Sequence, residues 1–567
     1  MNASRPALVS QANAIALPRW LLLLGVGVYA LAGLLGRAPW RPDEGAAYGV
    51  MRALAAGETN WLTPTLFGVA ADPTALLPYW LGAWSVQALP WLNPVTATRV
   101  PFVLLLCVTA WAVWRATYLA AQSQALQPVP FAFGGQAAPQ AYGKALADGS
   151  VLALVAALGM APSSHEGNAA AVQLAAVALS MAGALGMLLP RAAPHHPRGH
   201  LALWLIGLGA LSTSGGGWLA VGLPLILFTA LRWGHPEWLG DHAKPNPTPA
   251  KRAVWLGLLL SVGLILALEL WHGLAWAPAQ VWASPSAWLR ELGWFLWPTW
   301  PLLLWTAWVW RRQWRTRPLL LAGLWLAWTL LPSLVTVGPR LLAPTLPVAA
   351  MLAALALPTL RRGLSALIDW FAVAFFTGSA FVLWLYWAAM TFGQPHAAAQ
   401  TVARLAPGFA PELDWQLVLP ALAVTLAWFG AIGWRVRHYS PALWRGLALS
   451  AAGAVTSWTL LMTLWLPLLN HGLGYQKAAQ RVASHWSGQR GCLDGTELEP
   501  TALAALRFDA QLDVLTGRAA LQCPVQLIAQ AADDPDPDTT DGWRVLDRFA
   551  PINPRVMQWT LWQRPTN

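Results

Sequence analysis

The stretch Arg37-Ala-Pro-Trp-Arg-Pro-Asp43-Glu44-Gly-Ala-Ala-Tyr48 places two adjacent carboxylates directly after a long apolar segment. Acidic residues are scarce, since the 567-residue chain has only 24 Asp and Glu. At a membrane–water boundary such a pair can take a proton from a hydroxyl, hold a divalent metal ion or bind a sugar. A solvated pair in an exposed loop is the alternative interpretation, and the rest of the sequence has to decide between them.

The composition indicates a multi-spanning membrane protein. The chain is 57% hydrophobic and only 10% charged, and a soluble domain of this length cannot bury so much apolar surface. Its 39 Trp residues fit this class, because indole rings favour the membrane–water interface. Much of the net charge of +11 lies in short loops between apolar runs, where it orients the chain in the bilayer. The charge therefore does not indicate nucleic-acid binding.

The apolar runs and the basic loops together predict a topology. The candidate membrane segments are residues 18–36, 76–92, 99–121, 148–162, 168–190, 201–214, 216–232, 253–272, 289–310, 317–336, 341–357, 364–391, 415–435 and 443–468. Basic clusters begin at Arg191, Arg232, Arg311, Arg361 and Arg435, and from the second onward two runs separate each from the next. All of them can therefore lie in the cytoplasm.

The consistent solution has about thirteen crossings, with one short run, 76–92 or 148–162, that does not cross. The N-terminus is then cytoplasmic and residues 471–567 lie outside. We expect two domains, a membrane domain over 1–470 with its first outer loop at 37–76, and an outer domain over 471–567. The fold class predicted is thus mostly α, a polytopic helix bundle with outer loop helices and a small C-terminal α/β domain.

The tail differs in composition from the membrane region. Short patterned segments alternate with the acidic run that extends from Asp533 to Asp538, and its Pro residues spoil an EF-hand spacing, so a solvated loop is favoured over a calcium site. Cys492 and Cys523 both lie in this tail, and an oxidising outer compartment predicts a disulfide between them. Cys107 lies inside an apolar run and is predicted to be a lipid-facing or core-facing thiol.

Common cofactor motifs are missing from the sequence. It shows no GxGxxG dinucleotide site, no Walker A loop and no zinc spacing. Charges within the apolar runs are few, with Glu269, Asp369 and Arg340 as candidates. A secondary transporter is expected to carry more charged or broken helices near the membrane midplane, so this pattern argues weakly against a transporter.

The opening stretch resembles the membrane glycosyltransferases of the protein O-mannosyltransferase and aminoarabinose transferase superfamily, which share the GT-C fold. The shared features are an acidic pair soon after the first span, a Tyr four residues on, a Trp–Pro–Gly loop and an aromatic Tyr-Trp-Leu. They correspond to Asp43-Glu44, Tyr48, Trp61/Pro64/Gly68 and Tyr79-Trp80-Leu81. Further similar motifs are Thr98-Arg99-Val-Pro101, Arg340-Leu341 to Pro347, and Asp369-Trp370-Phe371.

The resemblance implies a transferase that moves a sugar from a polyprenyl-phosphate donor to a lipid, glycan or protein acceptor. It implies a bacterial inner-membrane protein, surrounded by membrane lipids, whose C-terminal domain is periplasmic. Asp43 is then the catalytic base, and Glu44 orients it, binds sugar or shares a divalent metal ion, the one cofactor that the resemblance allows. The sugar is a pentose or hexose, including aminoarabinose-like ones.

The remaining candidate residues would bind substrate. They are Arg41, Tyr48, Tyr79, His165, Glu166 and Arg340. For His165-Glu166 the alternative is a hydrated short loop, and Glu166 is the second candidate for the base. For Arg340 the alternative is a cation that reaches to the membrane interface.

Three departures from the family pattern concern the polar site. The expected Lys of the first loop is missing at Asp72-Pro73-Thr74, and Thr213-Ser214-Gly215 lacks the Lys that usually lies between two spans. Ala170 occupies the position of an expected Asp. The carrier phosphate would then need Arg340, Arg41 or Arg37, or the backbone amides of residues 215–217. The alternative function is a degenerate member that binds polyprenyl phosphate without transfer.

The topology can be tested with reporter fusions. A fusion after Asn567 should be active only outside the cytoplasm and a fusion at Arg315 only inside, because the basic loops are retained in the cytoplasm. A reporter that is active in both compartments serves as the expression control. The opposite result at either position would exclude the thirteen-span arrangement.

Overall fold

The structure, a computed structural model, describes residues 6–40, 43–72, 75–188, 197–235, 248–274, 284–334, 339–409, 411–437, 442–485, 491–531, 543–551 and 557–564. The chain divides into two compact units. Unit 1 contains Met1–Ala32, Phe102–Ala380 and Leu422–Thr459, and unit 2 contains Gly33–Pro101, Phe381–Ala421 and Leu460–Asn567. Residues 37–76, the predicted first outer loop, therefore belong to the same unit as the C-terminal tail.

Helices dominate the described chain. The α-helices are α1 (Arg19–Leu31), α2 (Asp43–Ala55), α3 (Leu76–Ala88), α4 (Pro94–Ala121), α5 (Pro139–Ala156), α6 (Met160–His165), α7 (Ala169–Leu188), α8 (Pro197–Ser212), α9 (Gly217–Trp233), α10 (Thr248–Ala267), α11 (Pro285–Phe295), α12 (Thr299–Val309), α13 (Arg317–Leu330), α14 (Pro339–Leu342), α15 (Leu346–Ala354), α16 (Arg362–Phe392), α17 (His396–Leu405), α18 (Trp415–Arg437), α19 (Arg445–Leu461), α20 (Leu466–Leu473), α21 (Gln476–His485) and α22 (Pro500–Ala504).

Short helices and strands complete the fold. The 3₁₀ helices are Gln11–Asn13, Gln124–Leu126, Leu270–Leu274, Leu331–Leu334, Ala343–Thr345, Leu357–Thr359 and Gly517–Gln522, and Ala505–Asp509 forms a π-helical turn. The strands are β1 (Thr65–Leu66), β2 (Val69–Ala70), β3 (Leu493–Asp494), β4 (Val514–Leu515), β5 (Val525–Ala531), β6 (Arg544–Phe549) and β7 (Met557–Gln563).

The predicted polytopic membrane protein is confirmed. Among the described residues, 6 helices are long and apolar enough to cross a membrane, namely Pro94–Ala121, Ala169–Leu188, Thr248–Ala267, Arg317–Leu334, Gly363–Phe392 and Trp415–Arg437. Counting the bent pair α19 and α20 as one span gives up to 7. Shorter apolar helices are Arg19–Leu31, Gly217–Trp233 and Ala343–Thr359. The count of thirteen crossings stays a prediction.

The helix lengths can be compared with the prediction that one short apolar run, 76–92 or 148–162, does not cross the membrane. The run at 76–92 forms α3, which has 13 residues and therefore extends about 20 Å at 1.5 Å per residue. The hydrocarbon core of a bilayer is about 30 Å thick. Helix α1 has the same length and the run 148–162 is divided between α5 and α6, so which apolar run does not cross stays a prediction.

Small residues build the core of unit 1. Helix α7 is buried along most of its length and packs closely on α8. A Cβ atom on Gly183 would lie 2.6 Å from the backbone nitrogen of Trp204, and one on Gly207 would lie 2.2 Å from the Ser180 hydroxyl. Interfaces between membrane helices are rich in small residues for this reason, since they let backbones approach.

Asp369 and Cys107 are a charged residue and a thiol that the sequence places within apolar runs. Asp369 on α16 forms an ion pair with Arg435 on α18 within unit 1. A buried charge is tolerated when it is paired in this way. Cys107 is exposed on the surface of α4 and is a free thiol, which favours the lipid-facing over the core-facing one of the two predicted positions.

The tail of unit 2 is the predicted small α/β domain. Its five-stranded sheet has the order β4-β3-β5-β7-β6, with β4, β3 and β5 parallel and with β7 antiparallel to both β5 and β6. The predicted disulfide is present, with the Cα atoms of Cys492 and Cys523 5.0 Å apart. The acidic run Asp533 to Asp538 lies outside the described residues.

Two glycines of α2 allow the tail to pack on the first outer loop. A Cβ atom on Gly45 would lie 2.1 Å from Thr501 Cγ2, and one on Gly49 would lie 2.8 Å from the Cβ atom of Ala504. Thr501 and Ala504 both belong to α22. The spacing of four residues places both glycines on one face of α2, so α22 lies directly against the helix that begins with the acidic pair.

Candidate functional site

The candidate site is built on the first turn of α2, where Asp43 and Glu44 are adjacent. The N-terminal end of a helix carries partial positive charge, so carboxylates are favoured there. The two side chains differ in burial, because Asp43 is partly exposed and Glu44 is only 4% exposed. The pair thus consists of one partly exposed residue and one buried residue.

Both oxygens of Glu44 are held by hydrogen bonds. Oε1 accepts from Arg37 Nη2 at 2.6 Å and from Arg99 Nε at 2.8 Å, and Oε2 accepts from the backbone N–H of Trp40 at 3.3 Å. Burial alone would raise the pKa of the Glu44 carboxyl, but the Arg37 and Arg99 guanidinium groups outweigh it and hold that pKa below its usual range. Glu44 is therefore ionised and bridges two arginines.

Arg99 also fixes the loop that precedes α2. Its Nη1 donates to the carbonyl oxygen of Arg37 at 2.5 Å, and its Nη2 donates to the carbonyl oxygen of Ala38 at 2.9 Å. The guanidinium of Arg37 lies over the Trp40 ring at 4.7 Å from its centroid. One arginine from α4 thus binds the Glu44 side chain and two loop carbonyls at once, which defines the backbone path into α2.

Asn470 holds the same loop through backbone and side-chain groups. Its Oδ1 accepts from the Ala38 N–H at 2.9 Å and from Trp40 Nε1 at 3.1 Å. Its Nδ2 donates to the Gly36 carbonyl oxygen at 2.8 Å. The loop is consequently tied to the end of α20 as well as to α4, and the position of Asp43 depends on both.

The hydrogen bonds that Glu44 accepts affect whether Asp43 and Glu44 could bind a metal ion together. Oε1 of Glu44 already accepts hydrogen bonds from two arginines, so a metal ion at this oxygen would have to displace one of them. Within the described parts of the chain, no group of three His, Cys, Asp or Glu is placed to hold a metal ion. Metal binding by Asp43 and Glu44 stays a prediction, and the contacts of Glu44 favour a positioning role.

The two predicted aromatic contacts to substrate are both buried tyrosines. Tyr48 lies one turn after Glu44 and packs edge-on against Phe508, with ring centroids 6.3 Å apart. Burial, reinforced by the carboxylate of Asp509, raises the pKa of Tyr48 well above its ordinary value. Burial and the Asp72 carboxylate raise the pKa of Tyr79 in the same direction. Both phenols therefore stay neutral and able to donate a hydrogen bond.

His165 and Glu166 lie in unit 1, at the end of α6. His165 Nε2 is 2.7 Å from the Tyr29 carbonyl oxygen, and its Nδ1 is 2.9 Å from the Ala161 carbonyl oxygen. The ring packs against Tyr29 and Trp458, with centroids 4.9 and 4.7 Å away. Glu166 accepts a hydrogen bond from the Asn168 amide at 2.8 Å. These contacts join α1, α6 and α19, and the substrate-binding role of both residues stays a prediction.

The predicted phosphate contacts are only partly described. Arg41 and the side chain of Arg340 lie outside the described residues, although Arg340 belongs to α14. Gly215 has a φ of 77°, a left-handed conformation that favours glycine. It precedes the N-terminus of α9, where backbone N–H groups favour anions. The Ser214 carbonyl oxygen accepts from Gln173 Nε2 at 2.6 Å.

Three residues of this region were not predicted as site residues. Arg99 belongs to a motif that resembles the family, but its pairing with Glu44, 55 positions away, has no local signal. Asn470 lies at the end of an apolar run with nothing to mark it. Asp509 follows no recognisable motif, and only a count of acidic residues in the tail could have selected it.

The role of Glu44 can be tested by stability. Glu44→Gln leaves two buried guanidinium groups without a counter-charge, and breaking a buried pair in this way costs about 3–5 kcal/mol. We expect a clear fall in the thermal unfolding temperature of the purified protein in detergent. Glu58→Gln is the control, because Glu58 pairs with Arg507 at 3.2 Å at a partly exposed position, where such pairs contribute about 0–1 kcal/mol. Equal shifts in both variants would contradict the assigned role.

Two solved structures of one protein resemble this chain over nearly its whole length. ArnT from Cupriavidus metallidurans bound to undecaprenyl phosphate has a TM-score of 0.61 at 16% identity, covering 96% of this chain and 97% of that chain. The apo state of the same protein has a TM-score of 0.60 at 16% identity, covering 96% and 98%. No protein-family model and no curated protein matches the sequence.

A weaker similarity exists to the Archaeoglobus fulgidus oligosaccharyltransferase tethered with an acceptor peptide. Its TM-score is 0.45 at 10% identity, covering 88% of this chain and 64% of that chain. The similarity to ArnT covers both the membrane helices and the C-terminal sheet. The chain therefore has the GT-C fold that its sequence motifs predict.

Proposed function

We propose that this protein is a membrane glycosyltransferase that takes a sugar from a polyprenyl-phosphate donor and transfers it to an acceptor hydroxyl. The observation that carries the proposal is the partly exposed carboxylate of Asp43, which begins α2 beside a fully engaged Glu44. The fold supports it, since ArnT, to which the chain is similar, has been solved with undecaprenyl phosphate bound.

The reaction requires one bond to form and one to break. The acceptor oxygen attacks the anomeric carbon of the sugar, and the bond between that carbon and the phosphate oxygen breaks, with its electron pair remaining on the phosphate. The acceptor hydroxyl proton must leave as the new bond forms. A positioned carboxylate that takes this proton contributes about 10²–10⁴-fold to the rate.

In this mechanism Asp43 is the base and Glu44 is a positioning residue. The two guanidinium groups and the Glu44 carboxylate form a buried cluster with a net charge of +1. The two positive charges of the arginines exceed the negative charge of Glu44. Asp43 therefore lies next in sequence to a cluster with a net positive charge. The loop carbonyls bound by Arg99 fix the start of α2, and preorganisation of this kind avoids reorganisation during the reaction.

The leaving phosphate needs a cation, and Arg340 is the proposed one. Arg37 is buried and bound to Glu44, so it belongs to the cluster beneath the base. Arg340 begins an apolar segment at a position where the family resemblance places a cation, and a guanidinium can bind phosphate with two parallel hydrogen bonds. Arg41 and the amides of residues 215–217 are further candidates for this contact.

The cellular setting follows from the basic loops. We propose a bacterial inner membrane, a cytoplasmic N-terminus and a periplasmic C-terminal domain, so that the transfer takes place on the periplasmic side. The sugar is a pentose or hexose, and the acceptor is a lipid, a glycan or a protein. A member that binds the carrier without transfer is the second candidate function, and the lack of Lys at Thr74 and Ser214 favours it.

Asp43→Asn tests the catalytic proposal. The variant should insert and unfold like the wild type, but transfer of radiolabelled sugar in isolated membranes should fall by at least about 10²-fold, because the amide cannot take the proton. Asp414→Asn is the matched control, since Asp414 is exposed and caps the start of α18. Near-normal transfer by Asp43→Asn would place the base elsewhere, with Glu166 as the next candidate.

Arg340 can be tested by binding of undecaprenyl phosphate to the purified protein in detergent. Arg340→Ala should weaken binding by roughly tenfold or more, since each 1.4 kcal/mol of lost interaction is a factor of ten, and Arg340→Lys should recover part of the affinity. Arg311→Ala is the control, because Arg311 is exposed and lies over the Trp308 ring. Equal affinity in all three variants would show that Arg340 does not bind the phosphate.

A further inference from the structure

The ends of α16, α18 and α19 that are predicted to be cytoplasmic meet at one corner of unit 1. Asp369, in the second turn of α16, forms an ion pair with Arg435 near the end of α18. The Trp434 ring of α18 stacks on Trp444, the residue before α19, with ring centroids 6.4 Å apart. The end of α18 is therefore joined to both neighbouring segments.

Helices α16 and α19 also approach each other directly. A Cβ atom on Gly446, the second residue of α19, would lie 3.1 Å from the Ser365 hydroxyl of α16. Farther along, a Cβ atom on Gly453 would lie 2.2 Å from Cδ2 of Phe376. The Phe376 ring packs edge-on against Trp428 of α18, with centroids 6.2 Å apart. The three helices thus form one packed group, which holds their ends together.

The end of this group is strongly basic, and we call it the arginine corner, consisting of residues 360–370, 431–437 and 442–450. These stretches of sequence contain five arginines and a single acidic residue, Asp369. The arginines are Arg361, Arg362, Arg435, Arg437 and Arg445. Because Asp369 is bound to Arg435, the corner keeps an excess of positive charge. Arg361 and Arg437 are exposed.

Orientation of the chain in the bilayer does not by itself explain this arrangement. Basic residues that set orientation act through their presence in a loop and need no fixed positions. Here packing brings arginines from three chain segments to one place, and Asp369 fixes Arg435 among them. Like charges that are held close together repel each other, and a bound anion would relieve this repulsion.

The levels of these groups along the helices match the headgroup layer of one leaflet. Ser365, which lies beside Gly446, and Asp369 are four residues apart on α16, which is about 6 Å of helix rise. The polar layer of one leaflet is roughly 5–7 Å thick. Arg445 therefore lies about one headgroup layer farther out than Arg435. The deeper arginine is the one that is ion-paired, as charges near the hydrocarbon region normally are.

Exposed indole rings accompany the charges. Trp370 follows Asp369 in sequence and is 72% exposed, and Trp434 precedes Arg435 and is 40% exposed. Trp side chains favour the membrane–water interface, where one part of the ring system contacts apolar chains and the N–H reaches polar groups. The arginine corner therefore offers both cations and interfacial aromatic surface, the combination that suits a charged lipid rather than a small soluble anion.

We propose that the arginine corner binds the headgroup of an anionic phospholipid from the surrounding leaflet. A guanidinium can bind phosphate oxygens through two parallel hydrogen bonds, and basic pockets between membrane helices on the cytoplasmic side bind cardiolipin-type headgroups. Cardiolipin, with two phosphates, fits a corner with several arginines better than phosphatidylglycerol, which has one. The inference does not rest on the proposed transferase function, since none of these residues takes part in that reaction.

Native mass spectrometry of the full-length protein in detergent tests the lipid class. The protein is titrated with cardiolipin, phosphatidylglycerol or phosphatidylethanolamine, and the lipids bound to each protein molecule are counted. The wild type should bind cardiolipin most tightly and phosphatidylethanolamine at least about tenfold more weakly, because the phosphatidylethanolamine headgroup has no net charge to attract the arginines. Equal binding of the three lipids would overturn the proposal.

The double variant Arg361→Gln/Arg437→Gln tests the position of the site. Both side chains are exposed, so the fold should be kept, and cardiolipin binding should weaken about tenfold or more. The matched control is Arg311→Gln/Arg312→Gln, which removes the same charge from two exposed arginines of another basic loop and should bind like the wild type. Equal losses in both double variants would show attraction to overall charge and exclude a site at the corner.

Thermal unfolding provides a second measurement of the same binding. A lipid that binds the folded state raises the unfolding temperature, so excess cardiolipin should stabilise the wild type and the Arg311→Gln/Arg312→Gln control. It should stabilise Arg361→Gln/Arg437→Gln much less. An equal increase in all three proteins would place the bound lipid elsewhere and contradict the assignment.

Inorganic phosphate separates a lipid site from a site for a free anion. Millimolar phosphate should leave cardiolipin bound to the wild type, because a lipid also contacts the protein through its acyl chains. Displacement of cardiolipin by inorganic phosphate would identify a free-anion site and overturn the assignment to a phospholipid.

Discussion

The buried contact of Glu44 with Arg37 and Arg99 is the interaction on which the proposed site depends. Taking these charges out of water is costly and is repaid only by good geometry and further hydrogen bonds. The geometry is present, because Arg99 also binds two loop carbonyls and Asn470 binds the same loop. A shift of either α4 or α20 would move the start of α2 and with it Asp43.

The two adjacent residues of the acidic pair therefore have different roles in the proposed site. Glu44 is buried and ionised, and it accepts hydrogen bonds from Arg37, Arg99 and the Trp40 amide. Asp43 keeps contact with solvent, as a group that accepts a proton from an incoming hydroxyl must. Close packing of α22 on Gly45 and Gly49 extends this rigidity into the tail.

Composition predicted the membrane class and the small C-terminal α/β domain, and the position of Cys492 and Cys523 in this domain predicted the disulfide. The location of this domain outside the cytoplasm stays a prediction. The sequence motifs predicted the fold, and the comparison with ArnT confirms it. Pairings across the chain could not be predicted. Arg99 and Glu44 are 55 positions apart, and Asn470 and Ala38 are 432 positions apart, so neither contact leaves a periodic pattern.

The most direct test of this account is an experimental structure of the protein in a lipid nanodisc with undecaprenyl phosphate bound. The account predicts that Glu44 keeps its contacts with Arg37 and Arg99, and that the carboxylate of Asp43 faces the space beside the bound phosphate. A structure in which Glu44 leaves its arginines to contact the ligand, or in which Asp43 points away from the phosphate, would contradict it.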